Sequence, residues 1–588
     1  MTDKPTTHDQ LEQFARVKAE LESDARKEAE IAYVNKLNNI YNEAAAHKQT
    51  ISRNWQALTM FLRGEQWPLR RPSYKVSAVL NFTLENIERK TALLTDAKPI
   101  PKTVPNNDRF QNDADVLNTI LDFVFRNSEF EQANTELVEN AQVFGSSFIS
   151  ALRTQETPQD KGDILVTAHD PRAVYIDPLI LRSYLLCKGE FIILEDLWPL
   201  EKAKDLYPKR ADLIKPDDNL SHYHTEGQKP TLMGRLSSIF KLREDNVAKS
   251  EIPRVHIREY WLRDRSGRFK KNARKTVLAG QVIVDDGDNP YSDGLFPPEM
   301  LTWHTDFHSA WGWGDVELLR NPQEIQNKII ANLVENMMLM SNAIWIGDAD
   351  ALSKEDWNKL NNAPGSYIKK KPGRELRREP GVAFPEYVLR ILEYVGVSKD
   401  TMTGMVDVMR GIRTGQVSSG VGIESLQLMA QALIRLRSRA LESLQARIGR
   451  KLISRIYQYY EPEKIKAIIL QGAKDQQIKS VNSELLKPIP NRDLDWQNRL
   501  MFTIEPGSSL GLAKTQRRIE SMRLREMKVI DDRALLEDLE YPHREEVLER
   551  VKAWKAELAE QEAEAESSAG DRTTRFPHQA GASPRGRF

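Results

Sequence analysis

Few side chains in this sequence stand at spacings that could do chemistry. His304, Asp306 and His308 alternate along the chain. On a strand such residues share one face, and two imidazoles with a carboxylate make a conceivable divalent-metal site. A metal-dependent nuclease is the enzyme such a trio would serve. Three potential ligands do not by themselves define a site, and the surrounding Trp303, Phe307 and Trp311 point instead to a packed loop or an interface. Gly511-Leu512-Ala513-Lys514-Thr515 ends like a phosphate-binding loop. Ala513, however, replaces the glycine before the lysine, and no glycine precedes it at the required distance. No ATPase motor is visible, so work on a polymer would draw its energy from a separate motor. Cys187 is the single cysteine. It makes no internal disulfide and no cysteine-based zinc site, and between Leu185, Leu186 and Lys188 it reads as a buried small hydrophobe. Neither a catalytic residue nor a metal or cofactor is expected.

The bulk properties narrow the class further. The 588 residues carry 85 basic and 85 acidic side chains, so the formal charge is zero. Proteins that coat nucleic acid show a basic excess, and this chain has none overall. Its length suggests three or four folding units. Apolar content of 40% against charged content of 29% permits large cores and leaves much surface for water or neighbouring subunits. Met1 to Gln10 is polar, unlike a signal peptide, and no apolar run is long enough to cross a membrane.

The elements that would position any site follow from periodicity. Leu11, Phe14, Val17, Leu21, Ile31 and Val34 predict a helix over residues 8–50. An aromatic stretch follows with Trp55, Phe61 and Trp67, then a helix over 81–95. Pro99, Pro101 and Pro105 force extended chain, and residues 109–145 read as helix. The period then shortens. Ile164–Val166, Val174–Ile176, Phe191–Leu194, Val255–Trp261 and Val277–Val284 predict antiparallel strands, and the polar stretch 208–250 an insertion. Asn321, Pro322 and Glu324 have the form of a helix start, followed by Ile325, Ile329, Leu333 and Met337 at steps of four. A small mixed module over 344–383 separates this helix from another that begins at Pro385. Four glycines interrupt residues 410–422. A long helix is expected from Glu424 to about Tyr460, strands near Ala467–Leu470 and Leu500–Ile504, and charged helix over 513–566. The fold class is α+β and helix-rich.

In this order the pieces resemble the portal, or head-to-tail connector, proteins of tailed bacteriophages, of the short-tailed-phage type. Four features carry the likeness: Trp55, Phe61 and Gly64-Glu65-Gln66-Trp67; Val79–Val104 with Asn81, Ile87 and Lys98-Pro99; Trp313-Gly314-Asp315 leading to Asn321-Pro322-Gln323 and a Met-rich helix; and Ile504-Glu505-Pro506-Gly507-Ser508, a long helix, Val529-Ile530-Asp531 and Asp538-Leu539-Glu540-Tyr541-Pro542. The resemblance implies a wing over 1–314, stem helices over 315–342 and 385–409 and a small β-containing clip over 343–384. It further implies a tunnel loop over 410–423, a long wing helix with returning strands over 424–512, a helical crown over 513–566 and a disordered tail over 567–588. It implies a homo-oligomeric ring, usually of twelve subunits, at one capsid vertex of the virion, made in the bacterial cytoplasm. That ring would be the conduit for packaging and ejecting double-stranded DNA. Its partners would be the terminase motor, head-completion or tail-adaptor proteins and the major capsid or scaffolding protein, with no membrane.

Local charge suggests where such a protein would meet DNA. Within the clip segment, the run 369–378 sets Lys369, Lys370, Lys371, Arg374, Arg377 and Arg378 against one acid, Glu375. That excess could meet phosphates or an acidic partner, although exposed charge is by default a solvated face. Residues 410–455 hold nine basic residues against Glu424 and Glu442. Arg435, Arg437 and Arg439 turn by ~200° per two residues, so they form no stripe and suit ion pairs between subunits better than DNA. Arg410, Arg413, Thr414, Gln416, Ser418 and Ser419 of the tunnel loop are the DNA-facing candidates. A non-catalytic scaffold or coiled-coil assembly protein is the other alternative, opposed by the strands of 160–285 and the interrupted heptads.

Overall fold

Val34, Leu37, Tyr41 and Ala44 fall about one helical turn apart, and they lay one face of α1 (Thr7–Ser52) onto a five-stranded sheet. The structure is a computed structural model. It describes residues 7–67, 72, 75–96, 101–154, 162–217, 252–341, 344–358, 369–379, 385–404, 432–472, 483–504, 511–539, 541 and 547–556. Contacts divide the chain into Met1–Ser509 and Leu510–Phe588, and each unit is described by itself.

After α1 come α2 (Trp55–Leu62) and α3 (Phe82–Thr95), the latter capped by the Asn81 side chain, which accepts from the Leu84 N–H. The prolines give β1 (Pro101–Pro105). Residues 109–145 form two helices rather than one, α4 (Gln111–Asn127) and α5 (Phe130–Phe144), because Glu129 between them is left-handed with φ 47°. Then follow β2 (Ser146–Thr154), β3 (Asp163–His169), β4 (Val174–Ile176), β5 (Phe191–Pro199), α6 (Leu200–Leu206) and β6 (Arg254–Arg263). Of the stretch 208–250, residues 218–250 lie outside the described residues. The single strand expected over 277–284 is a hairpin, β7 (Ala273–Ala279) and β8 (Val282–Asp288). Its two-residue turn starts at Gly280, whose φ of +61° is the geometry such turns demand. β9 (Pro298–Thr302) completes this part.

Strands β4-β5-β6-β7-β8 form one antiparallel sheet and β3-β2-β9 another. Alternation along β5 explains how both faces of the larger sheet are covered. Phe191 and Ile193 face α1, whereas Ile192 and Leu194 face the largest core. That core gathers Trp55, Phe144, Phe148 and Trp311, with ring centroids 5.1 Å apart for Trp55–Phe144 and 5.3 Å for Phe148–Trp311.

The remainder of the first unit comprises α7 (Asp315–Ser341), β10 (Ile344–Gly347), α8 (Lys354–Asn358), β11 (Leu376–Glu379), α9 (Glu386–Thr403), α10 (Ala432–Tyr459), α11 (Pro462–Gly472) and β12 (Leu500–Ile504). Two expectations fail here. Helix α7 starts at Asp315, not after Asn321, and carries Pro322 inside it. An internal proline costs about 3 kcal/mol; the fully buried Val316 and Leu319 hold the preceding turns in place. Ala467–Leu470 is helix, part of α11, because Ile465, Ile468 and Ile469 recur at helical spacing and are buried together. The chain before α10, residues 405–431, lies outside the described residues. Within the second unit, α12 (Gly511–Glu526) and α13 (Asp532–Asp538) replace the continuous helix expected from 513. Lys528, at φ 59°, breaks it, and residues 547–556 are helical again. Residues 557–588 lie outside the described residues.

Cys187 packs against the largest core, where burial pushes its thiol up, and Lys451 lies 3.1 Å from its sulfur. Lys451 is in turn paired with the buried Glu299 at 2.6 Å. The thiol is therefore a packed, unreactive group, as the sequence suggests.

Three glycines let the chain reach α7. A Cβ on Gly145 would lie 2.3 Å from the Gly312 carbonyl oxygen, one on Gly312 2.2 Å from the His304 carbonyl oxygen, and one on Gly314 2.2 Å from the Gln142 carbonyl oxygen. Backbone oxygens cannot step aside as side chains do. Gly312→Ala is therefore expected to cost about 2–3 kcal/mol or more through overpacking. Gly396→Ala, in α9, meets nothing within 4 Å and should be neutral or stabilising by up to ~1 kcal/mol. Thermal unfolding of both variants checks the pair, and an unchanged midpoint for Gly312→Ala would show that the crossing does not exist.

Candidate functional site

The helix pair α7 and α9, with the small module between them, leaves large apolar side chains exposed. Helix α7 has 27 residues, about 40 Å at 1.5 Å per residue. It packs against α9, and the buried Lys399 ammonium donates to Gln326 Oε1 at 2.9 Å.

Polar side chains fix the inner side of the pair. Gln66 is buried and accepts from Asn327 Nδ2 at 2.5 Å. Gln323 donates to the Leu80 carbonyl at 2.6 Å and to Asn327 Oδ1 at 3.0 Å. Gln66 itself donates to Asn81 Oδ1 at 3.1 Å, and Asn86 donates to Thr403 Oγ1 at 2.9 Å on α9. The segment Gly64-Glu65-Gln66-Trp67 thus has a physical role, because its glutamine clamps α7 to the loop ahead of α3. The Glu335 carboxylate, two turns on, accepts from the Val76 N–H at 2.9 Å.

The start of α7 is held by charge. Asp315 is buried, with Lys90 Nζ 2.6 Å from Oδ2 and His304 Nε2 2.8 Å from Oδ1. Burial would raise this carboxyl, but the His304 hydrogen bond and the Lys90 ammonium outweigh it and hold it down to about 2. Burial lowers the Lys90 ammonium, opposed by the same carboxylate. Arg437 on α10 donates to the Trp303 carbonyl and lies 2.7 Å from His304 Nδ1. These partners lie within the chain. His304 turns to Asp315, while Asp306 accepts from the His308 N–H at 3.0 Å. No metal-holding group of three occurs among the described residues.

Outward, the helix pair leaves apolar side chains uncovered. Met337 and Met338 on α7 and Tyr387, Tyr394 and Val397 on α9 are each more than half exposed. Between the helices, β10 and β11 pair antiparallel, Ile344 opposite Glu379 and Ile346 opposite Arg377. Lys369, Lys370, Lys371, Arg374, Arg377 and Arg378 are all exposed here. Folding brings acids to them that the linear run does not contain. Asp350 lies 3.6 Å from Arg374, and Glu379 lies 3.3 Å from Arg377. The patch is less basic than its sequence. Arg410, Arg413, Thr414, Gln416, Ser418 and Ser419 lie outside the described residues.

Elsewhere, a cleft of about 420 Å³ between α1 and the five-stranded sheet is lined by Arg263, Arg265 and Arg274. These donate to the Cys187 carbonyl, Glu190 and Asp286 respectively, so no convergent set is left for a ligand. No helix among the described residues is long and apolar enough to cross a membrane.

Removing one member of a buried ion pair strands the other. Asp315→Asn and Lys90→Met are each expected to cost about 3–5 kcal/mol, and the double variant less than their sum. A urea-denaturation cycle measures this, and strict additivity would refute the pairing. Because the Asp315 carboxyl is held at about 2 against an ordinary 3.8, its contribution is full above 3.8. It is lost as pH falls through about 2, and Asp315→Asn should remove that acid limb.

Comparison with known proteins accords with this architecture. No curated protein matches the chain, but the family profile for the phage P22-like portal protein matches residues 39–580. Portal proteins are structural ring components at one vertex of the capsid, where they meet capsid, terminase and tail proteins. The order of the helices, the module between them and a match running over most of the chain lead to one conclusion: this chain belongs to the P22-like portal family and serves as a phage portal protein, the virion's conduit for DNA.

Proposed function

We propose that α7 and α9 are the stem of a twelve-subunit ring, and that residues 343–384 are its clip, 410–423 its tunnel loop and 513–566 its crown. The observation that carries this reading is the helix pair itself. Its polar side chains turn inward to Gln66 and Lys399, while Met337, Met338, Tyr387 and Tyr394 stay exposed. Such a pair would complete its packing against a neighbouring copy, and head-to-tail contacts of that kind close into rings.

In this reading the clip docks an adaptor or the terminase through Lys369, Lys370, Lys371, Arg374, Arg377 and Arg378, and double-stranded DNA passes through the lumen. Arg410 and Arg413 would touch phosphates, and Thr414, Gln416, Ser418 and Ser419 would give the loop a small polar surface. Major capsid or scaffolding protein would hold the wing. The chain itself performs no catalysis and takes no cofactor; the motor is another protein.

Electron micrographs of the purified chain should show rings with a central hole, and mass photometry giving monomer at every concentration and salt would refute them. The same material should neither hydrolyse ATP nor cut DNA. Nuclease turnover that vanishes in His304→Ala would favour the enzyme instead. Deleting 413–421 should leave rings intact while packaged DNA is lost, and normally filled infectious particles would sink the tunnel-loop assignment. Changing Lys369, Lys370 and Lys371 together to Glu should spare ring assembly and weaken terminase or adaptor docking. Unchanged docking would remove the basic patch from the interface.

A further inference from the structure

Helices are stable in water when they bury an apolar face, and the second unit buries almost nothing. Helix α12 has 16 residues and α13 seven, and residues 547–556 form a third helix. Without packing, helices of these lengths are marginal. Among the described residues of this unit, the one buried side chain is polar, Ser521. The large apolar side chains are exposed instead: Met522 at 47%, Met527 at 68%, Val529 at 67% and Trp554 at 60%. Leu535, Leu536 and Leu548 are no more than half-buried. The first unit, by contrast, holds three apolar cores. Asp532 pairs with Arg525 on α12 and, at 2.6 Å, with Lys555. Ion pairs this open to water set an arrangement but stabilise it little. The unit also divides its charge. Helix α12 carries Lys514, Arg517, Arg518, Arg523 and Arg525 against Glu520 and Glu526. Residues 531–540 reverse the sign, with Asp531, Asp532, Glu537, Asp538 and Glu540 against Arg533.

We propose that a second copy of this chain covers these apolar side chains, and that α12, α13 and the 547–556 helix fold only as copies assemble. The occupant follows from the charge. A segment with a basic helix and an acidic stretch complements itself when copies meet head to tail, the basic side of one against the acidic side of the next. The same contact supplies the apolar burial that the unit lacks, and it offsets the conformational entropy lost when the helices form. In the free chain these helices are open, and in the ring each is closed by its neighbour. The first unit, with cores of its own, is folded in both states. This inference rests on the ring of the proposed function and deepens it: the last described part of the chain reports whether the ring has formed.

Hydrogen–deuterium exchange of the full-length chain tests it, on monomer and ring fractions separated by size and counted by mass photometry. Peptides covering 518–538 and 547–556 are expected to exchange freely in the monomer. In the ring they should gain protection of about a hundredfold, about tenfold for each of two large apolar side chains newly covered. Peptides covering 315–330 should be protected in both fractions. Glutamine matches methionine in helix propensity, so Met522→Gln leaves α12 as able to form. If Met522 and Trp554 faced only water, Met522→Gln and Trp554→Gln would be silent. Each is instead expected to lower ring-state protection over 518–538 and 547–556 about tenfold while sparing 315–330. Arg523→Glu, which sets an acid against the neighbour's acidic stretch, should act in the same direction. Protection of 518–538 and 547–556 in the monomer equal to that in the ring overturns the proposal, because their own chain would then suffice. So does free exchange in intact rings, or glutamine variants that exchange like the unmodified ring. Absence of rings by mass photometry defeats the ring reading and this inference together, whereas rings with unprotected helices defeat this inference alone.

Discussion

A carboxylate taken out of water at the first residue of α7 constrains much of what surrounds it. Burying an ion costs several kcal/mol unless its charge is met and its lone pairs are filled. Asp315 meets that demand with the Lys90 ammonium on one oxygen and the His304 N–H on the other. Each partner imposes its own requirement. Lys90 must be brought in on α3. His304 must be held by Arg437, and its backbone pairs with Trp313. The chain between must cross within van der Waals distance of the end of α5, which is possible only because Gly145, Gly312 and Gly314 have no side chains. Four elements therefore meet at one charge, and α7 inherits its starting point and direction from that meeting.

The helix pair inverts the usual distribution of polarity. In a helix that finishes its packing within one chain, apolar residues face inward and polar residues face water. Here the inner contacts of α7 include an amide ladder, Gln66 to Asn327 to Gln323 to the Leu80 carbonyl, and a buried lysine on Gln326. Directional bonds fix register and rotation more tightly than apolar contact does, because an unmet amide in a buried position costs about 1–3 kcal/mol. The apolar side chains left outside supply area for association. Rigid polar fixation within a subunit and apolar adhesion between subunits suit a protein of the portal family, whose copies must share one geometry around a ring.

How much of this is legible in the sequence depends on the range of the forces involved. Helix α1, the strands of the larger sheet and the helix–module–helix order follow from local periodicity, and the order of the motifs leads to the family. The failures are partly local, at the left-handed Glu129 and Lys528 and at the Gly280 turn, and partly long-range. Asn321-Pro322 has every local mark of a helix start, but the Asp315 anchor, which depends on Lys90 some two hundred residues earlier, carries the helix past it. Ile465, Ile468 and Ile469 suggest a strand by residue type and a helix by spacing, and burial of one helical face decides for the latter. The hairpin at Gly280 is hidden inside an apolar run. The Lys369–Arg378 cluster reads as strongly basic because its acids, Asp350 and Glu379, lie across the module or beyond the counted run. For the candidate site, Gln66, Asn81 and Asp315 are visible as parts of motifs, but nothing in those motifs names their partners. The Asn327 and Arg437 contacts exist only in the fold.

The softened charge of the proposed clip bears on what a conduit must do. Every phosphate neutralised by a fixed lysine or arginine releases counterions and adds affinity that rises steeply as salt falls. A lumen that gripped DNA in this way would resist its movement in both directions. Exposed ion pairs such as Arg374–Asp350 contribute little to stability, but in the proposed assignment they would lower the potential felt by a passing phosphate, since Arg374 and Arg377 already have an anion 3.6 Å and 3.3 Å away. With 85 basic and 85 acidic residues, the chain as a whole carries no formal net charge, although the two signs are not evenly spread along it. In the proposed assignment, then, paired clip charges recognise a protein surface that can match both signs, while DNA meets a surface with little net pull. The same near-neutrality that argues against a DNA-coating protein is what a low-friction channel requires.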